Sequence, residues 1–261
     1  GFPWTMPGMA TYDSEGVIYA KHVLKTKPDA KIAILSQNDD FGRDYVAGFK
    51  RALGAKAASM IVAEATYEPT APTISSQLAT LKASGANVMF GVVLGKFTPQ
   101  MIKGIAELNW KPDLFYVPTS ASSISFLEPA GLDNAIGLIS SSAQKDTVDP
   151  QWADDAGVKA YLAFMKQHLP NADLNNSNYA AGYHYATLLE KVLRACKDDF
   201  SRDNILKQAT SLRNVELPLL LPGITVSTAP DDYLPFQQLQ LRRFNGKNWI
   251  GFGDLIDDRQ D

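Results

Sequence analysis

Lys31-Ile32-Ala33-Ile34-Leu35, the polar run Ser36-Gln37-Asn38-Asp39-Asp40 and then Phe41-Gly42-Arg43-Asp44-Tyr45 decide the fold. A short apolar run without alternation is the pattern of a strand buried on both faces, as in a parallel sheet. The polar run is a strand-to-helix turn, after which Tyr45, Val46, Phe49 and Leu53 recur at helical spacing. Upstream, Val17, Ala20, Val23 and Leu24 follow Tyr12-Asp13-Ser14-Glu15, which predicts a helix capped by Asp13 or Ser14 and ended by Lys27-Pro28-Asp29. Downstream the pattern predicts a strand at 60–63, a helix over 74–82 stopped by Gly85, a strand at 88–93, a helix over 99–108 and a strand at 114–117. Strand and helix alternate at least three times. That implies an α/β protein with a parallel, doubly wound sheet.

The second half reads as a strand over 137–142, helices over 156–168 and 179–197, and a further helix capped by Ser201-Arg202-Asp203-Asn204 and running through Leu212. Residues 219–226 resume strand character, and 238–244 and 247–252 form a hairpin whose Asn245-Gly246 suits a type I′ turn. Phe2-Pro3-Trp4-Thr5 is strand-like and lacks the basic start of a signal peptide. The chain has 261 residues, 45% hydrophobic and 20% charged, with a net charge of −3. That composition excludes disordered and collagen-like classes, and the mild acidity argues against a nucleic-acid partner. The single cysteine, Cys196, excludes a disulfide framework and reads as a buried small hydrophobe on a helix.

Catalytic signatures are absent: no Gly-x-Gly-x-x-Gly opens a helix, and there is no Walker loop or nucleophile elbow. His22 and His168 read as solvated helix residues, His184 as a satisfied helical histidine, and Asp257-Asp258 as turn residues. In a doubly wound sheet a ligand site forms beyond the carboxyl ends of the strands, so the loops 37–42, 93–97 and 118–123 matter most. Asp40 lies where an acid caps a helix or meets a ligand. Phe41 and Leu94 stand in matching post-strand loops, where they either pack or wall a pocket. Thr119, Ser120 and Ala121 open a hydroxyl-rich run that either binds a polar ligand or caps the next helix.

The run 27–35, then Asn38-Asp39-Asp40-Phe41-Gly42-Arg43-Asp44-Tyr45, resembles type I periplasmic solute-binding proteins, more narrowly the branched-chain amino-acid (leucine/isoleucine/valine) receptors of ABC importers. Leu81-Lys82-Ala83-Ser84-Gly85-Ala86-Asn87-Val88, Asn109-Trp110-Lys111-Pro112 and Asp149-Pro150-Gln151-Trp152 add to the likeness, which covers nearly the whole chain. The resemblance implies a bilobed fold of doubly wound, mainly parallel sheets that closes on a small ligand. Residues 1–6 and 143–236 would form a partial amino-terminal lobe, and 7–142 with 237–261 the carboxyl-terminal lobe. It implies ligand contacts from Phe41 and its loop, from Leu94, from Thr119-Ser120, and from Asn178-Tyr179 at the start of the long helix. It also implies a periplasmic location, an ABC permease in the membrane as partner, and no cofactor or metal.

Two departures matter. Amino-acid-binding members tend to place an acid in the third loop to meet the ligand's ammonium, whereas this chain has Thr119 and Ser120. A buried ammonium without a carboxylate is costly, so an aromatic or aliphatic organic acid is expected, with Phe41, Tyr179 and Tyr183 as possible stacking surfaces and a branched-chain or other amino acid as the alternative. The family also opens with a signal peptide and the first strands of the amino-terminal lobe. The expectation is that the first part of that lobe, on the order of a hundred residues, is missing here and resides in a separate fragment or was lost. A ligand-sensing domain of a regulator or receptor is the rival from another class, and an α/β enzyme is disfavoured because no nucleophile–base set can be named.

Overall fold

The computed structural model describes residues 4–259, which fall into two compact units. The sheet unit comprises Tyr12–Ser142 and Leu239–Asp261, and the helical unit Gly1–Thr11 and Ala143–Gln238.

In the sheet unit the chain runs α1 (Tyr12–Thr26), β1 (Ile32–Gln37), α2 (Asp40–Leu53), the single turn α3 (Ala57–Met60), β2 (Ile61–Tyr67), α4 (Ser75–Ala83), β3 (Val88–Val92), α5 (Phe97–Glu107), β4 (Leu114–Tyr116), the single turn α6 (Ile124–Leu127) and β5 (Ile139–Ser142). The hairpin strands β6 (Gln238–Phe244) and β7 (Trp249–Asp257) complete a seven-stranded sheet of order β2-β1-β3-β4-β5-β6-β7. Strands β2, β1, β3, β4 and β5 are parallel, and β6 is antiparallel to β5. The apolar runs at 32–35 and 88–92 are buried on both faces, as expected of central parallel strands. One face, through Ala33, Leu35 and Met89, packs on Ile74 just before α4, on Leu78 and Leu81 of α4 and on Met101, Ile102 and Ile105 of α5. On the other face Phe90 stacks on Phe49 of α2 (ring centroids 4.6 Å apart) and meets Tyr19 of α1 edge-on at 5.8 Å. Helices therefore cover both faces, and the doubly wound reading holds.

The helical unit carries α7 (Ala156–His168), α8 (Ser177–Ala195) and α9 (Arg202–Ala209). Each begins on a side-chain cap: Asp155 accepts from Val158 N, Asn176 from Asn178 N and Ser201 from Asn204 N. Val158, Tyr161 and Met165 of α7 pack with Ala180 of α8 and with Leu219. The Lys145 ammonium bonds the Asp155 carboxyl at 2.7 Å and the Pro218 carbonyl at 3.0 Å, tying the 218–221 segment to the start of α7.

Several expectations need correction. Residues 219–226 form no strand; the segment makes isolated antiparallel bridges, Gln144 with Leu220 and Val215 with Val226. Pro218 and Pro222 lack the N–H a ladder needs, and turns close from Leu220 N to Leu217 O and from Ile224 N to Leu221 O. Trp4 and Thr5 lie in a turn and irregular chain, while Phe2 and Pro3 lie outside the described residues. Helix α1 already starts at Tyr12, so Asp13 and Ser14 sit within its first turn. α9 ends at Ala209, not Leu212. Of the Asn245-Gly246 pair only Gly246 has positive φ (98°). The hairpin turns instead through four residues, with the Asn245 side chain accepting from Lys247 N and Asn248 N. His22 is buried, with Nδ1 2.5 Å from the Tyr116 hydroxyl, and Asp258 is buried too. Cys196 is buried as expected.

Candidate functional site

Because β1, β3 and β4 are adjacent and parallel, the loops that follow them emerge at one edge of the sheet, the carboxyl edge. After β1 the chain turns so tightly into α2 that a Cβ on Gly42 would lie 1.8 Å from the Gln37 carbonyl. Glycine is required there. Asp39, in extended conformation, caps α2 by accepting from Gly42 N at 3.1 Å. The capping acid is therefore Asp39, not Asp40. Asp40 is the first helical residue; its exposed carboxyl pairs with Arg43 at 2.7 Å. Phe41 is buried, its ring packed edge-on to Tyr12 at 5.1 Å and to Tyr45 at 5.3 Å. Tyr12 stacks on Tyr45 at 5.0 Å and is itself partly exposed. Leu94, after β3, is exposed.

After β4, Thr119–Ala121 form one turn of 3₁₀ helix. Thr119 N–H donates to Glu15 Oε1 at 2.7 Å and Thr119 Oγ1 lies 2.8 Å from the same oxygen. Ser141 Oγ donates to Oε1 at 2.9 Å, the Tyr19 hydroxyl to Oε1 and the Tyr45 hydroxyl to Oε2. Glu15 is 5% exposed and so forms the hub of a buried polar cluster at the carboxyl edge. Burial first, and the neighbouring Glu15 second, push both phenols well above their ordinary range, which keeps them protonated as donors. Ser120 is exposed and Ala121 buried. Ser122 Oγ donates to Thr119 O at 2.6 Å, and the Trp249 indole N–H donates to Ser122 O at 2.8 Å, so the loop is also held from below.

The structure thus brings Asp40, Phe41, Leu94, Thr119, Ser120 and Ala121 to one edge of the sheet unit. Asn178 and Tyr179 belong to the helical unit, both exposed in the first turn of α8. The helical unit also holds an open cavity of about 840 Å³ between one face of α8, including Tyr183, Thr187 and Glu190, and the segment from Glu216 to Ile224; neither Asn178 nor Tyr179 lines it. Sequence reasoning missed Tyr12 and Glu15 as parts of the edge. Among the described residues no three His, Cys, Asp or Glu side chains gather as a metal site.

Residues 1–247 match the family model described as periplasmic binding protein. The chain belongs to the periplasmic binding protein family. Proteins of this family bind solutes and are of a non-catalytic type. Solved structures give the same fold: a branched-chain amino-acid ABC transporter protein from Thermus thermophilus with bound valine matches with a TM-score of 0.80 at 13% identity, over 97% of this chain and 67% of that one. A solute-binding protein of an ABC transporter from R. palustris, in complex with 4-hydroxybenzoate, matches with a TM-score of 0.76 at 19% identity, over 98% and 68%. A protein from the Pseudomonas fluorescens group described as an ABC transporter permease matches at 0.79 and 18%, over 98% and 65%. The periplasmic binding protein seen here thus spans about two thirds of the length of these solved relatives. No curated protein matches its sequence. Among the described residues no helix is long and apolar enough to cross a membrane.

Proposed function

We propose that this periplasmic binding protein is the extracytoplasmic substrate-binding component of an ABC importer and takes a small organic acid, aromatic or aliphatic, which it delivers to a membrane permease. The carboxyl edge of the sheet unit supplies one set of contacts: Phe41 with Tyr12 as the aromatic wall, Leu94, and the Ser120 hydroxyl. Asp40, Thr119 and Ala121 shape that edge.

The observation that carries the choice of an acid is the state of the carboxyl groups beside these loops. Asp13 is clamped by the Arg51 guanidinium, Asp39 caps α2, Asp40 pairs with Arg43, and Glu15 is enclosed by donors. Of these only Asp40 keeps a free carboxyl oxygen, and it stands exposed in solvent, so a ligand ammonium enclosed at this edge would lack a buried carboxylate partner, which is costly. The 4-hydroxybenzoate complex among the solved neighbours is in keeping with this reading, and the valine complex keeps the amino-acid alternative in view. Calorimetric titration of the chain with 4-hydroxybenzoate, a short aliphatic carboxylate and valine tests it. Heat of binding with a carboxylate and none with valine is expected. Tight valine binding with none of the acids would replace this reading with the amino-acid receptor.

A further inference from the structure

Glu15 has more hydrogen-bond donors around it than a structural carboxyl needs, and they come from four separate elements. Tyr19 stands one turn later on α1, Tyr45 on α2, Thr119 in the loop after β4, and Ser141 on β5. The Tyr19 hydroxyl is also 2.9 Å from the Val117 carbonyl, on the run into the loop. Thr119 Oγ1 lies 2.9 Å from the Ser141 carbonyl as well. One side chain therefore meets both the N–H and the hydroxyl of Thr119, the first residue of the 3₁₀ turn that follows β4.

We infer that Glu15 is the positioning residue for the loop 119–121, holding Thr119 inward and thereby deciding which groups of that loop a ligand can meet. With both Thr119 donors turned to Glu15, Ser120 is the exposed hydroxyl of the 3₁₀ turn. Glu15 also stands near where the sequence reading looked for an acid facing the ligand. It reaches this loop from α1, but buried beneath Thr119 and saturated rather than facing out. The consequence for ligand class rests on the organic-acid reading above; the positioning role does not.

Two variants separate positioning from bulk. Glu15→Gln keeps an amide oxygen for Thr119 and Ser141, while its NH₂ donates to the Tyr45 oxygen. Glu15→Leu fills the same space and leaves the Thr119 N–H and the Tyr45 hydroxyl without their acceptor, while the Tyr19 hydroxyl keeps the Val117 carbonyl. Amide hydrogen exchange at 119–122, normalised to the β1 and β3 amides of the same sample, reads the loop apart from overall stability. Glu15→Leu is expected to speed the normalised exchange by about tenfold, the equivalent of one net hydrogen bond, and Glu15→Gln to stay near wild type. Uniform acceleration of loop and strands, or equal loosening by both variants, would overturn the positioning role. If Glu15→Leu does not fold, Thr119→Val decides beside Glu15→Gln. It removes one donor from the cluster, and faster normalised exchange at 120–122 is expected; no change overturns the inference. A 4-hydroxybenzoate titration of the same proteins reads the ligand consequence, with affinity falling in Glu15→Leu and kept in Glu15→Gln. No binding by wild type would count against the organic-acid reading alone, and the exchange data would still decide the role of Glu15.

Discussion

Helices α1 and α2 touch backbone to backbone at two reciprocal glycines, and a methyl group at either tests how closely the sheet unit is built. A Cβ on Gly48 would lie 2.0 Å from the Asp13 carbonyl oxygen, and one on Gly16 would lie 2.3 Å from the Tyr45 carbonyl oxygen. Real Cβ atoms essentially never come within 3.0 Å, so the helices must part by about 1 Å for Gly48→Ala and about 0.7 Å for Gly16→Ala. Helical backbone cannot swing aside as a long side chain can. The cost therefore sits at the top of the overpacking range, about 3 kcal/mol, because a gap of that size forfeits a quarter to a half of each dispersion contact. Alanine recovers about 1 kcal/mol of helix propensity. The net is a loss of about 2 kcal/mol for each variant, read as about thirtyfold faster exchange of the β1 and β3 amides through opening of the sheet unit. Since the first methyl already separates the helices, the double variant should lose less than the sum of the singles. A single variant as stable as wild type, or more so, would refute the reasoning, because propensity alone would then account for the result.

Two pH predictions concern the helical unit. The Lys145 hydrogen bond, ahead of the bond from Val158 N–H, holds the Asp155 carboxyl below its usual value. The stability it supplies is complete above the ordinary carboxyl pKa of about 4 and is lost as pH falls through the lowered folded value. Asp155→Asn should keep much of the cap, unfold more easily in urea near pH 7, and show a shallower acid limb. His184 is 1% exposed, neither ring nitrogen has a partner among the described residues, and burial lowers its pKa to about 4. Its neutral form favours the fold above pH 6.5, and that contribution declines as pH falls toward 4. His184→Leu removes two orphaned nitrogens and should unfold no more easily at pH 7, with a flatter pH dependence between 6.5 and 4. A marked loss of stability at pH 7 would show that the imidazole has a partner.

The sequence is most readable where local pattern and tertiary role coincide. Ile32–Leu35 and Val88–Val92 are apolar without alternation because both faces are covered, so their place at the centre of a parallel sheet follows from the chain alone. Residues 219–226 look similar in composition but owe their burial to packing against α7 and to isolated bridges, and Pro218 and Pro222 remove the donors of a ladder. Asp39 and Asp40 differ by backbone conformation, extended against helical, which adjacent identical residues do not announce. Phe41, Leu94 and Thr119 are found through strand order, since any residue just after β1, β3 or β4 must reach that edge. Glu15 is not, because nothing within a helical turn of it foretells donors 104 and 126 residues away.

Those separations bear on how the chain acquires its working form. The loop after β4 takes its anchor from α1, the first helix of the sheet unit, and Ser141 of that same cluster lies on β5, the last strand before the chain passes to the helical unit. Contacts that close so long a stretch come late in folding, after local pairing has brought their ends together. The edge loops of the sheet unit are therefore set only when β1 through β5 are all in place. A nascent or partly unfolded chain would carry Ser120 and Leu94 without the arrangement that makes them a surface, so maturation of the sheet and competence of its edge arrive together.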